Sequence, residues 1–165
     1  MNSDWQILVD ALRAELQEYG AICGTLDEQQ KAIFARDAEK VNVIGSILAQ
    51  QLESADRLRQ AREELMKDIA RFNELPLETS LADMRQVFPE AAQGLFKALI
   101  AEINSMITNM RRRSRQNQML LARTCEVMER TLQLLRPSNF VKTYSSKGAV
   151  SVQVGPVGSH IQTAG

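Results

Sequence analysis

The residues that could support catalysis are few and lie far apart. The only histidine is His160, and the two cysteines, Cys23 and Cys125, have no neighbouring His or Asp that would activate a thiol. The cysteine spacing fits neither a disulfide framework nor a metal site, so we expect two buried, reduced thiols. Carboxylates such as Glu63 and Glu64 fall on helix surfaces, where charge is ordinary. The sequence therefore predicts no enzyme, no cofactor and no metal.

Four arginines form a dense basic run at Arg111, Arg112, Arg113 and Arg115. The first 110 residues hold 11 basic and 18 acidic residues, and the rest of the chain holds 9 and 2. Arginines of this kind can bind nucleic-acid phosphates, but the run lacks the aromatic residues on which single-stranded bases stack. Neutralisation by the acidic first part of the chain is the favoured interpretation, and no nucleic-acid partner is expected.

Apolar residues recur every three or four positions over three long segments, and this periodicity predicts an all-α fold. We expect an antiparallel bundle of three long helices, at about 4–35, 38–73 and 89–136, with a short connecting helix near 80–88. Asp37 should cap the second helix, because its carboxylate can accept from exposed backbone N–H groups. The predicted organisation is a helical bundle over 1–136 and a flexible, irregular C-terminal tail over 137–165.

The tail has few aromatic residues and an alternating run of valines, and the N-terminus has no targeting pattern. Val150, Val152 and Val154 alternate as in a strand, but no second strand is apparent, so disorder or order induced by a partner is expected. Phe140 and Tyr144 are either anchors for a partner or a clamp on the bundle. The sequence shows no signal peptide and no long uncharged apolar window, so we expect a soluble, cytoplasmic protein without membrane insertion.

The last helix is longer than its predicted neighbours. At 1.5 Å per residue the three helices span roughly 48, 54 and 70 Å, so the last one would extend past the hairpin from about Ala122. Its apolar residues widen there into two stripes, which comprise Leu120, Leu121, Val127, Met128, Leu132, Leu134 and Leu135. Exposing apolar surface of this size to water is unfavourable, so we expect another part of the protein or a partner to bury it. Either a partner protein binds it, or the folded-back tail or a second copy in a homodimer covers it.

Polar residues interrupt the apolar stripes of the first and last helices at nearly the same level. Ser114 and Asn117 lie in the last helix, and Gln30 lies in the first. Single polar core positions can fix the register of packed helices. We therefore hypothesise a shared polar layer in which Gln30 and Asn117 lie within one water bridge of each other.

Several of these residues together resemble the FlgN family of flagellar type III export chaperones. The resemblance covers about Trp5 to Gly148 and rests on the turn at Asp37 and on three short patterns: Leu8, Leu12, Glu15 and Tyr19; Asn117 to Leu121; and Thr143-Tyr144 followed by Gly148. The element after the final helix is the most specific of them.

This resemblance implies a cytoplasmic chaperone that binds the hook-filament junction proteins FlgK and FlgL and prevents their premature assembly. It implies delivery of these proteins to the export gate protein FlhA. By position it assigns the gate contact to Tyr144 and the cargo surface to Leu120, Leu121, Val127, Met128, Leu132, Leu134 and Leu135. The alternative is a structural coiled-coil subunit that self-associates through its C-terminal helix.

Overall fold

The structure is a computed structural model that describes residues 4–135, 142–144 and 150–152. Three long helices dominate it: α1 (Asp4–Phe34), α2 (Ala38–Phe72) and α4 (Glu90–Leu135). A short helix, α3 (Leu81–Met84), and a 3-10 turn (Arg85–Val87) connect α2 to α4. The predicted helices are confirmed to within one or two residues at the ends that the structure describes.

The turn between α1 and α2 is set by local hydrogen bonds. Arg36 adopts a left-handed conformation at φ 56°, and the Asp37 N–H donates back to the Ala32 carbonyl at 3.0 Å, which closes the end of α1. The Asp37 carboxylate then accepts from the Lys40 N–H at 2.9 Å and begins α2. The predicted cap is thereby confirmed, and α1 and α2 pack side by side as a hairpin.

One hydrophobic core joins the four helices. Its buried side chains include Leu8, Leu12, Ile22 and Leu26 of α1, Ile44, Leu48 and Ile69 of α2, Met84 of α3, and Phe96, Leu99 and Ile103 of α4. The Phe88 and Phe96 rings stack with their centroids 4.7 Å apart. At this position of α4 the core residue is Phe96, which is fully buried, whereas the adjacent Leu95 is exposed.

Polar contacts show how α4 lies against α1. The Cys23 thiol contacts the Met106 sulfur at 3.5 Å, and the Asn117 side-chain amide donates to the Leu26 carbonyl at 2.8 Å. Because residue numbers rise together in both helices, α4 runs in the same direction as α1. The Asn117 side-chain amide also donates to the Gln29 side chain at 3.0 Å, and Gln30 and Asn117 line the same small pocket. That Gln30 and Asn117 lie within one water bridge of each other stays a prediction.

The chain divides into two compact units, Met1–Ala122 and Arg123–Gly165. In the second unit, β1 (Lys142–Tyr144) and β2 (Val150–Val152) form an antiparallel pair in which Lys142 faces Val152 and Tyr144 faces Val150. The expectation of a wholly irregular tail without a partner strand is therefore wrong. The boundary of the domains at 136/137 stays a prediction.

Some expectations fall outside the described residues. They concern the side chains of Phe140, Tyr144 and Val154. Among the helices that are described, none has an apolar stretch suited to crossing a bilayer.

Candidate functional site

The end of α4 carries a stripe of exposed apolar side chains, here called the late stripe. Its members are between 46% and 87% exposed, and they are Val127, Met128, Leu132, Leu134 and Leu135. Positions 128, 132 and 135 follow each other along one row of the helix, and positions 127 and 134 form the neighbouring row. All five residues belong to the second unit.

Two residues predicted for the same surface lie in the first unit instead. Leu120 and Leu121 are half-buried. Leu121 lines a groove of the first unit together with Leu26 and Leu48. Their assignment to a cargo surface stays a prediction.

Two polar side chains beside the late stripe form bonds within the helix. Arg130 forms an ion pair with Glu126 at 2.5 Å, and the Thr131 hydroxyl donates to the Val127 carbonyl at 2.9 Å. What the stripe offers to a neighbour is therefore chiefly apolar area. An aliphatic side chain that passes from full exposure to full burial contributes about 1.5–3 kcal/mol. These five are only partly exposed, so covering each of them would contribute a part of that amount.

The predicted gate residue, Tyr144, ends strand β1 and pairs with Val150 across the ladder. Its backbone thus lies in an ordered hydrogen-bonded pattern. Its proposed contact with an export gate stays a prediction.

A buried ion pair between α1 and α2 is a feature that the sequence did not reveal. Glu15 is only 1% exposed, and its carboxylate accepts from the Arg62 guanidinium. The Tyr19 hydroxyl donates to the other carboxylate oxygen at 3.2 Å. Burial, together with the adjacent Glu15 charge, raises the pKa of Tyr19. A signal was available: Glu15 and Tyr19 are four residues apart on a face that is otherwise apolar.

The basic run is neutralised in part by the hairpin. Arg113 forms an ion pair with Asp27 of α1, and Arg112 donates to Asn109 at 3.2 Å. Arg111 and Arg115 are exposed and form no ion pair within the described part of the chain. The expected self-neutralisation therefore applies to one arginine of the four.

The two thiols differ in their surroundings. Cys23 is half-buried, and burial raises its pKa although the nearby Arg113 charge opposes that shift. Cys125 is exposed, so the prediction that both thiols are buried is wrong for Cys125. Among the described residues, no group of three His, Cys, Asp or Glu side chains is arranged to hold a metal ion.

The comparison with protein families decides the identity of the chain. The family model described as FlgN protein matches residues 1–151, which include every described helix. The chain belongs to the FlgN family. Searches of curated proteins and of solved structures found no match. FlgN proteins have a general role as flagellar export chaperones, and the helical bundle with its exposed late stripe is consistent with that role.

The FlgN-like residues of α1 mark the fold rather than a binding surface. Leu8, Leu12, Glu15 and Tyr19 are all buried, and two of them belong to the ion-pair network with Arg62. Their side chains are not available to a partner. A surface that binds a partner must therefore be formed by other, exposed residues.

Proposed function

We propose that this FlgN-family chain is a cytoplasmic chaperone for the hook-filament junction proteins FlgK and FlgL. It binds their C-terminal helical regions, prevents premature assembly, and delivers them to the export gate protein FlhA. The observation that carries this proposal is the late stripe, which exposes five apolar side chains on one helix of a chaperone-family protein.

The physical basis is helix capture. An amphipathic helix of the cargo packs its apolar residues against the late stripe, which is long enough for two turns of contact. The same apolar residues of the cargo are then unavailable for assembly with other subunits. Neither a nucleotide nor a metal is required for binding of the cargo helix, because burial of apolar area provides the driving force.

Charged substitutions in the late stripe test the cargo surface. The variant Val127→Asp with Leu134→Asp places two carboxylates in the proposed interface, and desolvating them should abolish binding of a FlgK or FlgL C-terminal peptide in calorimetric titration. Both side chains are solvent-exposed, so the circular-dichroism signal of the helices should remain.

A matched control exists on α2. Val43 and Ile47 are also exposed apolar residues, one turn apart, and lie away from the end of α4 in sequence. Val43→Asp with Ile47→Asp should leave cargo affinity unchanged. If Val127→Asp with Leu134→Asp leaves the affinity for the cargo peptide unchanged, the late stripe is not the cargo surface.

The gate contact requires a separate test. We predict that Tyr144→Ala binds the cargo peptide normally and binds the cytoplasmic part of FlhA more weakly, because an aromatic anchor is lost. Both affinities can be measured on the same protein preparation. Loss of both would argue that Tyr144 stabilises the chaperone itself.

The late stripe would also serve a structural subunit that self-associates. In that case light scattering at increasing protein concentration shows a dimer, and Val127→Asp with Leu134→Asp restores the monomer. A chaperone that awaits cargo is expected to remain monomeric over the same range.

A further inference from the structure

The first unit contains an open groove that is separate from the late stripe. It has a volume of about 480 Å³ and lies between α1, α2 and α4. The apolar residues that line it are Ile22 and Leu26 of α1, Leu48 and Leu52 of α2, and Met110 and Leu121 of α4. The α1 residues and Leu48 are buried, whereas Leu52 is 52% exposed, so the groove is accessible to solvent from this side.

The α4 wall of the groove is basic. Arg111 and Arg115 line it one helical turn apart, and both side chains are exposed. They form no ion pair within the described residues, in contrast to Arg113, which is paired with Asp27. The groove therefore combines an apolar floor with two unpaired positive charges along one edge.

The chain itself does not offer a suitable occupant. Its residues after Glu129 include Arg136, Lys142 and Lys147 and no acidic residue, so the tail would bring further positive charge to the arginines. Most apolar residues of α1 and α2 are buried in their own core, and Glu126 at the late stripe is already paired with Arg130. On α2, Val43 and Ile47 are exposed, but the charges one turn before them, Glu39 and Lys40, cancel. A second copy therefore presents no strongly acidic amphipathic helix there.

We propose that this groove binds an acidic amphipathic helix of a partner protein. Met110 and Leu121 are about 16 Å apart along α4, which corresponds to about three turns of a bound helix. Apolar residues spaced three and four apart would pack on the floor, and carboxylates along one edge would pair with Arg111 and Arg115. This site differs from the late stripe, although Leu121, which lines the groove, is also a residue of the predicted cargo surface.

Synthetic peptides of about 16 residues test the proposal. The probe carries leucines at helical spacing on one face and glutamates along one edge of that face. One control peptide has lysines in place of the glutamates, and another has serines in place of the leucines. Fluorescence anisotropy with the full chain should show binding of the glutamate peptide and at least about tenfold weaker binding of both controls. Raising the salt concentration should weaken the complex.

Charge reversal gives the decisive comparison. Arg111→Glu with Arg115→Glu should lower the affinity for the glutamate peptide by about tenfold or more and raise the affinity for the lysine peptide. Arg112→Glu with Arg123→Glu changes the total charge equally at residues that do not line the groove, and it should have little effect.

Three results would overturn the proposal. The first is equal binding of the glutamate and lysine peptides, and the second is an equal effect of the two charge-reversal variants. The third is a concentration-dependent dimer of the chain that Arg111→Glu with Arg115→Glu dissolves, because a second copy would then be the occupant. The variant Val127→Asp with Leu134→Asp should bind the glutamate peptide normally, so failure of the cargo surface remains distinguishable from failure of this one.

Discussion

At the scale of single residues, Glu15 shows how a charge can specify the pairing of two helices. Its carboxylate is buried between α1 and α2 and receives the Arg62 guanidinium and the Tyr19 hydroxyl. Such a pair contributes little net stability compared with apolar side chains of equal volume, but an unpaired charge left behind is costly. The network therefore favours the register in which Glu15 and Arg62 meet.

Because Glu15 depends on Arg62, the substitution Arg62→Met should be costly. The substitution leaves the Glu15 carboxylate buried without its cation, so the free energy of unfolding in urea should fall by about 3 kcal/mol. Glu15→Leu combined with Arg62→Met leaves no buried charge, so its free energy of unfolding should fall by less than that of Arg62→Met alone. Arg57→Met removes a partner of Glu53 on the surface of the same helix and should change stability only slightly. A double variant less stable than Arg62→Met would contradict the account.

Single residues also show where sequence reasoning ends. The helical period allowed either Leu95 or Phe96 to face the core, and only the packing against Phe88 distinguishes them. Gln29 and Gln30 are adjacent, and either could have met Asn117 on periodicity alone. Glu15 was missed because a carboxylate within an apolar stripe is normally a surface residue.

At the scale of secondary structure elements, the long helices were predictable because their signals are local and repeated. The apolar period and the Asp37 cap identify α1 and α2 without any tertiary information. The strand pair of the tail was not predictable. Each strand has only three residues, and Lys142–Tyr144 has none of the apolar alternation that marks Val150–Val152.

Helix α1 contains two glycines, Gly20 and Gly24, and close approach of another helix would be one reason for glycines at these positions. The structure excludes it, since a Cβ placed at either position meets no atom within 4 Å. Both are therefore weak points of the helix. Gly24→Ala should raise the free energy of unfolding by about 1 kcal/mol, because alanine loses less conformational entropy in a helix. Thermal unfolding measures this, and a lowered midpoint would show that the glycine has a structural role after all.

At the scale of the whole molecule, buried and exposed residues have different tasks. The residues that mark the family in α1 are buried and maintain the fold, whereas the late stripe and the groove with Arg111 and Arg115 are accessible to partners. The sequence predicted the late stripe, because an apolar excess at the end of a long helix is visible in the pattern. It did not predict the groove, because a groove arises only from the placement of three helices.

The central claim is that cargo contacts the late stripe, and site-specific photocross-linking tests it most directly. A benzoylphenylalanine is introduced in place of Leu132 or, as a control, in place of Val43; the two side chains are 61% and 55% exposed. After irradiation with the C-terminal helical region of FlgK, mass spectrometry identifies the cross-linked product. We predict a cross-link from the position of Leu132 and none from that of Val43. A cross-link from the position of Val43 alone, or from both equally, would contradict the account.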